Sequence, residues 1–253
     1  MSKIALITGA TSGIGEAVAN SLAKEGYDLI ITGRRTSILT NLANKLEKSF
    51  QVRVLPLSFD VRDLAQVEHY LGNLPIPWNE IDVLINNAGL AVGMQPINQG
   101  VIDDWERMID TNIKGVLYVS KTVSNIMINR GVGHIVNIGS IAGKSVYPNG
   151  NVYCATKHAV DALSKGMMMD LHAHNIRVSQ ICPGAVDTEF SQVRFKGDME
   201  KATNVYKGFT PLYAKDIADI ILFILKAPPH VNISDVTVMP TAQASVSIIN
   251  KKL

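Results

Sequence analysis

A large excess of charge of either sign is missing from this chain. Against 24 Lys and Arg stand 22 Asp and Glu, a net charge of +2 over 253 residues. Such a balance supplies no field for a nucleic-acid backbone or an anionic membrane surface, so neither partner is expected. Cysteine is scarce as well. Only Cys154 and Cys182 are present, both in apolar stretches, which excludes a disulfide framework and reads as two free buried thiols in a reducing compartment. No apolar run reaches the ~18 residues that a membrane span needs, and no leader precedes the first apolar segment; a cytoplasmic location is expected. The six histidines are scattered. His172 and His174 are two apart and would face different ways on a helix, and no Cys/His grouping has zinc spacing, so no metal is expected. Neither Ser12 nor Ser140 lies in a Gly-x-Ser-x-Gly nucleophile elbow. Internal repeats and low-complexity segments are also lacking.

What is abundant is apolar residues, at 47%, enough for a core on both faces of a sheet. Short apolar runs alternate with longer amphipathic ones, which predicts an α/β fold with a parallel sheet covered by helices on both sides. Strands are expected at Ile4–Ile7, Leu29–Thr32, Val52–Ser58, Val83–Asn86, His134–Ile138, Arg177–Cys182 and Val236–Met239. Right-handed crossovers then give a doubly wound Rossmann architecture of about seven strands, in one domain over residues 1–253. Asp104 is expected to cap a long helix that runs to about Arg130 and stops at Gly131.

The stretch Thr8-Gly9-Ala10-Thr11-Ser12-Gly13-Ile14-Gly15 joins the first strand to the first helix. Gly9 permits a tight turn, Gly13 leaves room for a pyrophosphate at the backbone, and Gly15 permits close helix–sheet packing. The free N–H groups at the helix start favour an anion there. Gly9, Thr11, Ser12, Gly13, Ile14 and Gly15 are therefore expected at a dinucleotide. About 20 residues on, where an acid would bond the ribose 2′-hydroxyl of NAD, stand Arg34 and Arg35. Guanidinium groups suit a 2′-phosphate, so the cofactor is expected to be NADP.

Ser140 follows the fifth strand, and Tyr153 and Lys157 lie four apart on a helical stretch, which places phenol and ammonium on one face. Reducing a ketone by hydride transfer needs a proton for the alkoxide that forms. A phenol with a pKa of ~10 transfers protons poorly at neutral pH unless a neighbouring cation lowers it. Ser140 would donate a hydrogen bond to the substrate oxygen.

The Thr-Gly-x-x-x-Gly-x-Gly turn, Asn86-Asn87-Ala88-Gly89 and the set Asn112, Ser140, Tyr153, Lys157 together resemble the short-chain dehydrogenase/reductase family over essentially the whole chain. The resemblance implies catalytic roles for those four residues: Tyr153 as acid–base, and Asn112 kinking its helix and holding a water beside Lys157. It places Asp60 and Val61 at the adenine, Asn87, Ala88 and Gly89 in the cofactor crevice, and Tyr153 and Lys157 near the nicotinamide ribose. Pro183, Gly184, Val186 and Thr188 then fall around the carboxamide and phosphates. It also implies a homotetramer, in which the helices bearing Asn112 and Lys157, with apolar residues such as Val116, Val119, Val160 and Leu163, meet across an interface. Longer stretches (86–94, 188–198, 228–233 and 239–243) resemble the NADP-dependent 3-hydroxy acid dehydrogenases, which implies serine, allo-threonine or similar substrates. Cys182 departs from that pattern, where an acid is expected. A general carbonyl or 3-oxoacyl reductase and a non-catalytic NADP(H)-sensing protein remain as alternatives. The segment at about 186–212 reads as a substrate lid. A carboxylate in a dry pocket needs a cation; Arg194 is the first choice for it and Lys196 the second, with Ser140 and Tyr153 on the hydroxyl.

Overall fold

The computed structural model describes residues 2–252. In chain order it runs β1 (Ile4–Ile7), α1 (Gly13–Lys24), β2 (Asp28–Gly33), α2 (Thr36–Phe50), β3 (Val54–Ser58), α3 (Leu64–Gly72) and β4 (Ile81–Asn86). There follow α4 (Ile102–Ile109), α5 (Gly115–Arg130), β5 (Gly133–Ile138), α6 (Asn151–Leu171) and β6 (Ile176–Pro183). The chain ends with β7 (Val186–Asp187), α7 (Phe190–Arg194), α8 (Met199–Asn204), β8 (Leu212–Tyr213), α9 (Ala214–Leu225) and β9 (Asp235–Val238).

Seven strands form one parallel sheet in the order β3-β2-β1-β4-β5-β6-β9. Each expected strand is present, with ends shifted by a residue or two. The period of two sorts the side chains. Ala5, Ile7, Leu29, Ile31, Val136 and Ile138 face α1, α2 and α9, among Val18, Leu22, Leu46 and Ile221. Ile4, Leu6, Ile30 and Ile135 face the other way, among Val67, Leu71, Val123 and Met127 of α3 and α5. Strands buried on both faces must read as continuous apolar runs, and these do. The order of connection reverses between β1 and β4, so a crevice opens at the carboxyl ends of those two strands.

One local expectation is corrected. Asp104 is not an N-cap: α4 begins at Ile102 behind an extended Val101, and Asp104 sits buried in the first turn. The helix expected to run to about Arg130 does so, through a π-helical turn over Asp110–Lys114 that joins α4 to α5 and contains Asn112, the residue expected to kink it. Gly131, at φ +68°, ends α5 as expected. Asp63 caps α3, accepting from the backbone of Gln66.

The predicted lid is pinched at its base, where β7 and β8 pair as Val186↔Leu212 and Asp187↔Tyr213. Two short helices, α7 and α8, fill the segment between them, where no helical period was read. No helix among the described residues is long and apolar enough to cross a membrane.

Candidate active site

The glycine turn and the end of β4 are built as one unit. Thr8 Oγ1 accepts from the backbone N–H groups of Asn87 and Ala88, both at 3.0 Å, and Asn87 Nδ2 donates to the carbonyls of Thr8 and Gly9 at 2.9 and 3.0 Å. Gly9 and Gly13 adopt φ of +66° and +56°, where a side chain is strained. At Gly15 a Cβ would stand 2.3 Å from the Gly9 carbonyl oxygen and 2.5 Å from Asn87 Nδ2, so only glycine fits. A Cβ on Gly13 would reach Thr188 at 3.2 Å, which brings the foot of the lid against the turn. Ser12, before α1, makes no side-chain cap, leaving the first N–H groups of that helix without a side-chain partner.

These elements wall a cleft of about 390 Å³. Thr11, Ser12 and Ile14 line it with Gly9 and Gly13; Asn87, Ala88 and Gly89 line it from β4; Pro183, Gly184, Val186 and Thr188 close it from β6 and the lid. Arg34, Arg35, Asp60 and Val61 line one end, and Ser140, Tyr153 and Lys157 the other. Gly15 lies beneath the turn and is not exposed to the cleft. Positive-φ glycines, uncapped helical N–H groups and a basic pair in one elongated cleft fit a dinucleotide carrying an extra phosphate.

The two arginines differ. Arg34 is mostly exposed, with its guanidinium 3.9 Å from Asp60. Burial raises the Asp60 carboxyl, but the hydrogen bonds from Arg62 outweigh it and hold the group below its usual range. Arg35 is a cross-brace. It bonds the hydroxyl and carbonyl of Thr11 at 2.9–3.2 Å and pairs with Glu189 of the lid at 3.2 Å. Glu189 was outside the expected set. So were Phe59, Arg107 and Thr111, which also line the cleft; none stands in a local motif, and only the fold gathers them.

At the other end, Ser140 leaves β5 with its Oγ accepting from the backbone of Ala142 at 3.0 Å. Tyr153 and Lys157 stand one turn apart near the start of α6, both almost fully buried. Burial pushes the Tyr153 phenol up to about 12, while Arg194 and the Ser140 hydroxyl pull the other way. Burial likewise brings the Lys157 ammonium down to about 8. The expected arrangement, with the lysine as the cation acting on the phenol, differs here. Lys157 Nζ donates to the Ile138 carbonyl at 2.8 Å, and the cation over the phenol ring is Arg194, 5.0 Å from its centroid.

Asn112 is buried at the π-helical turn. Its amide donates to the Leu90 carbonyl and the Thr156 hydroxyl and accepts from the Leu90 N–H, at 2.8–3.0 Å. It is therefore a bolt between β4's exit, α6 and its own helix rather than a solvent-facing residue; π-bulges recur at such sites. Gly89 lets Asn112 and Lys157 draw near, since a Cβ there would lie 3.3 Å from Asn112 Oδ1 and 3.6 Å from Lys157 Nζ. Cys182, where an acid was expected, is a buried thiol raised to about 11 by burial, inert beneath Gly139 and Ser140. Cys154 is buried too.

Arg194 projects from the last residue of α7 into a ring of aromatics: Tyr153 and Phe190 at 5.0 Å and Tyr147 at 5.8 Å from the guanidinium carbon. Among the described residues no carboxylate lies within ion-pair distance of it. Neighbouring acids are taken, Glu189 by Arg35 and Asp198 by Lys201. Arg194, Tyr153, Trp105 and Met94 line one small recess. Lys196, the second candidate for the substrate cation, pairs instead with Asp104 at 2.7 Å. Among the described residues no group of three or more His, Cys, Asp or Glu is gathered for a metal.

The reversal of strand order over a glycine turn, with a serine, a tyrosine and a lysine at its far end, defines a dinucleotide-binding oxidoreductase of the doubly wound class. A family description of short chain dehydrogenases matches residues 3–198, and the chain belongs to that family. Among its relatives, the NADP-dependent 3-hydroxy acid dehydrogenase of Salmonella typhi is 46% identical over 242 residues, 95% of this chain and 96% of that one. The enzyme of the same description in Schizosaccharomyces pombe is 42% identical, over 99% and 97% of the two chains. Among solved structures, the closed form of serine dehydrogenase complexed with NADP+ superposes with a TM-score of 0.91 at 41% identity, covering 99% of this chain and all of that one. Serine dehydrogenase from Escherichia coli gives 0.82 at 38% identity, over 95% and 99% of the two chains.

Proposed function

We propose that this protein is an NADP-dependent 3-hydroxy acid dehydrogenase of the cytoplasm. It interconverts serine, allo-threonine or a similar 3-hydroxy acid with the corresponding 3-oxo acid or semialdehyde. The observation that carries the substrate reading is Arg194: an unpaired guanidinium enclosed by Tyr147, Phe190 and Tyr153, 5.0 Å from the ring that bears the reacting phenol. A half-buried guanidinium flanked by aromatic rings is a strong partner for a carboxylate two carbons from the hydroxyl. The relatives' descriptions as NADP-dependent 3-hydroxy acid dehydrogenases support the same reading.

The residues that would hold NADP are the turn Gly9–Gly15 at the pyrophosphate, Arg34 and Arg35 at the 2′-phosphate, and Asp60 and Val61 at the adenine. Asn87–Gly89, Pro183, Gly184, Val186 and Thr188 would flank the nicotinamide half. When bound, NADP supplies the hydride acceptor or donor. Tyr153, neutral because it is buried, donates its proton to the substrate oxygen during reduction. Oxidation runs the reverse transfer and needs the phenolate, which the Ser140 hydroxyl stabilises. Ser140 also donates to the substrate oxygen. Lys157 keeps N–H groups for the ribose hydroxyls beyond the one given to Ile138. Asn112 holds Leu90 and Thr156 together beside it, and its oxygen faces the same glycine as the ammonium, giving the proton a polar exit.

The test is Arg194→Met, assayed with 3-hydroxybutyrate and with its neutral methyl ester. Removing the partner of a desolvated carboxylate costs ~2–5 kcal/mol, so kcat/KM for the acid should fall at least ~30-fold while the ester is hardly affected. A parallel fall on both substrates would assign Arg194 to the lid or cofactor and leave a general carbonyl or 3-oxoacyl reductase. Absence of turnover on any hydroxy acid or ketone, with NADP bound, would leave a sensor.

A further inference from the structure

Arg194 is a long side chain at the end of a five-residue helix in a surface segment. Something must fix it over Tyr153, and the structure shows two fasteners, one at its own carbonyl and one two residues on. The Gly93 N–H donates to the Arg194 carbonyl at 3.0 Å. Two residues later the Lys196 ammonium meets Asp104 Oδ2 at 2.7 Å.

Three features mark this second fastener as built rather than incidental. The Asp104 side chain is only 5% exposed, whereas ion pairs on a protein surface are exposed on both sides. Among the described residues Asp104 Oδ2 accepts no aligned hydrogen bond, so the ion pair with Lys196 is the only compensation of that buried oxygen. Lys196 stands at φ +53°, a left-handed conformation uncommon outside glycine and asparagine, and Gly197 follows at +88°. That backbone turns the lysine back toward α4 once α7 has ended. On the far side the space is equally shaped. Gly93 is at φ +73°, and a Cβ on it would lie 2.9 Å from Asp104 Oδ2. The carboxylate is therefore set between the first turn of α4, the loop that bonds Arg194, and the end of the lid helix. Its place near the amino end of α4 also suits its charge.

We infer that the Asp104–Lys196 pair is a positioning device for Arg194: it clamps the end of α7 to α4 and so sets the affinity of the enzyme for an acidic substrate. The inference rests on the reading of Arg194 as the carboxylate's partner. Neither Asp104 nor Lys196 touches substrate; both act through the guanidinium. Because Arg194 holds the carboxylate before and during the reaction, loosening it should raise KM and leave kcat nearly unchanged.

The experiment uses the full chain and four variants, Lys196→Met, Lys196→Arg, Asp104→Asn with Lys196→Met, and Arg194→Met, each assayed on 3-hydroxybutyrate and its methyl ester. Lys196→Met strands the buried Asp104 carboxylate, and the double variant, which removes both charges, separates that loss of stability from the loss of the clamp. Lys196→Met should raise KM for the acid at least about 10-fold, with kcat and both ester constants within about 3-fold. Lys196→Arg, which keeps the charge, should restore the parent values. The double variant should be no worse on the acid than Lys196→Met, because the pair acts as a unit. An unchanged acid KM in Lys196→Met, with Arg194→Met still selectively impaired, overturns the clamp and spares the carboxylate reading. Equal losses on acid and ester in Lys196→Met overturn it as well. Absence of an acid-selective loss in Arg194→Met overturns both.

Discussion

Lys157 should cost the protein stability in exchange for activity, and the cost should depend on pH in a way that can be measured. Its ammonium is buried, bonds a single carbonyl, and has its pKa brought down to about 8, against 10.5 for the unfolded side chain. Between those values the unfolded chain binds more protons than the folded one, so stability rises with pH across the window from about 8 to 10.5. Below 8 the full penalty applies: 2.5 units at ~1.36 kcal/mol each, or about 3 kcal/mol at pH 7. At pH 10 less than about 1 kcal/mol remains. Lys157→Met keeps the volume and removes the charge. At pH 7 it should gain up to about 3 kcal/mol, less about 1–3 for the Ile138 carbonyl left without its donor. The dependable quantity is the difference between pH values, since the carbonyl term cancels: the variant's advantage should shrink by about 2.5 kcal/mol from pH 7 to pH 10. Urea unfolding of the cofactor-free proteins at both pH values reads this directly. Turnover should collapse in the same variant. An advantage that stays constant with pH would refute the argument, because it would mean that Lys157 is not held below its ordinary range.

Three more outcomes are expected. Tyr153→Phe should lower turnover by ~10³-fold or more while a fluorescence titration gives a near-normal NADP affinity; lost binding would make the tyrosine structural, and retained turnover would remove its acid–base role. NADP should be preferred to NAD by ~10-fold or more in kcat/KM, and Arg34→Ala with Arg35→Ala should erode that preference, since a charge-assisted hydrogen bond carries ~1.5–3 kcal/mol; equal use of both cofactors by the parent contradicts it. Light scattering at micromolar concentration should report a homotetramer, as the family resemblance implies, and a monomer would exclude it. Val116, Val119 and Val160 do not argue for that assembly, because the chain's own fold already buries them.

The sheet was legible because both of its faces are covered. Ile4–Ile7 and Leu29–Thr32 have no solvent face to alternate with, so unbroken apolar runs marked them, and the turns between carried the rest. Site residues that belong to local motifs were legible for a related reason: Gly15 is dictated by contacts at 2.3–2.5 Å that its own turn creates. What escaped was set by distant parts of the chain. Asp104 has every local mark of an N-cap, an acid ahead of a helical run, yet its partner is Lys196, 92 positions away. The π-helical turn at Asn112 leaves no periodic trace, because the amide's bonds to Leu90 and Thr156 hold it. The spacing of Tyr153 and Lys157 correctly predicted one helix face, but spacing does not say which way an ammonium turns, and Ile138 rather than the phenol received it.

The two-residue pairing of β7 with β8 has a consequence for how such a protein can change over generations. It brings the ends of the lid side by side, so the loop is closed whatever lies within it. Lengthening a closed loop adds only ~0.6 kcal/mol of closure entropy per doubling, which leaves the interior open to insertion and replacement. The carboxyl ends of β1 and β4, where the glycine turn and Asn87 interlock, lie outside that loop, which meets the cleft along its first residues, Val186 to Val193. A lineage built on this plan can exchange the cation at Arg194 for another group, and with it the molecules it accepts, while the glycine turn and the end of β4 are inherited unaltered.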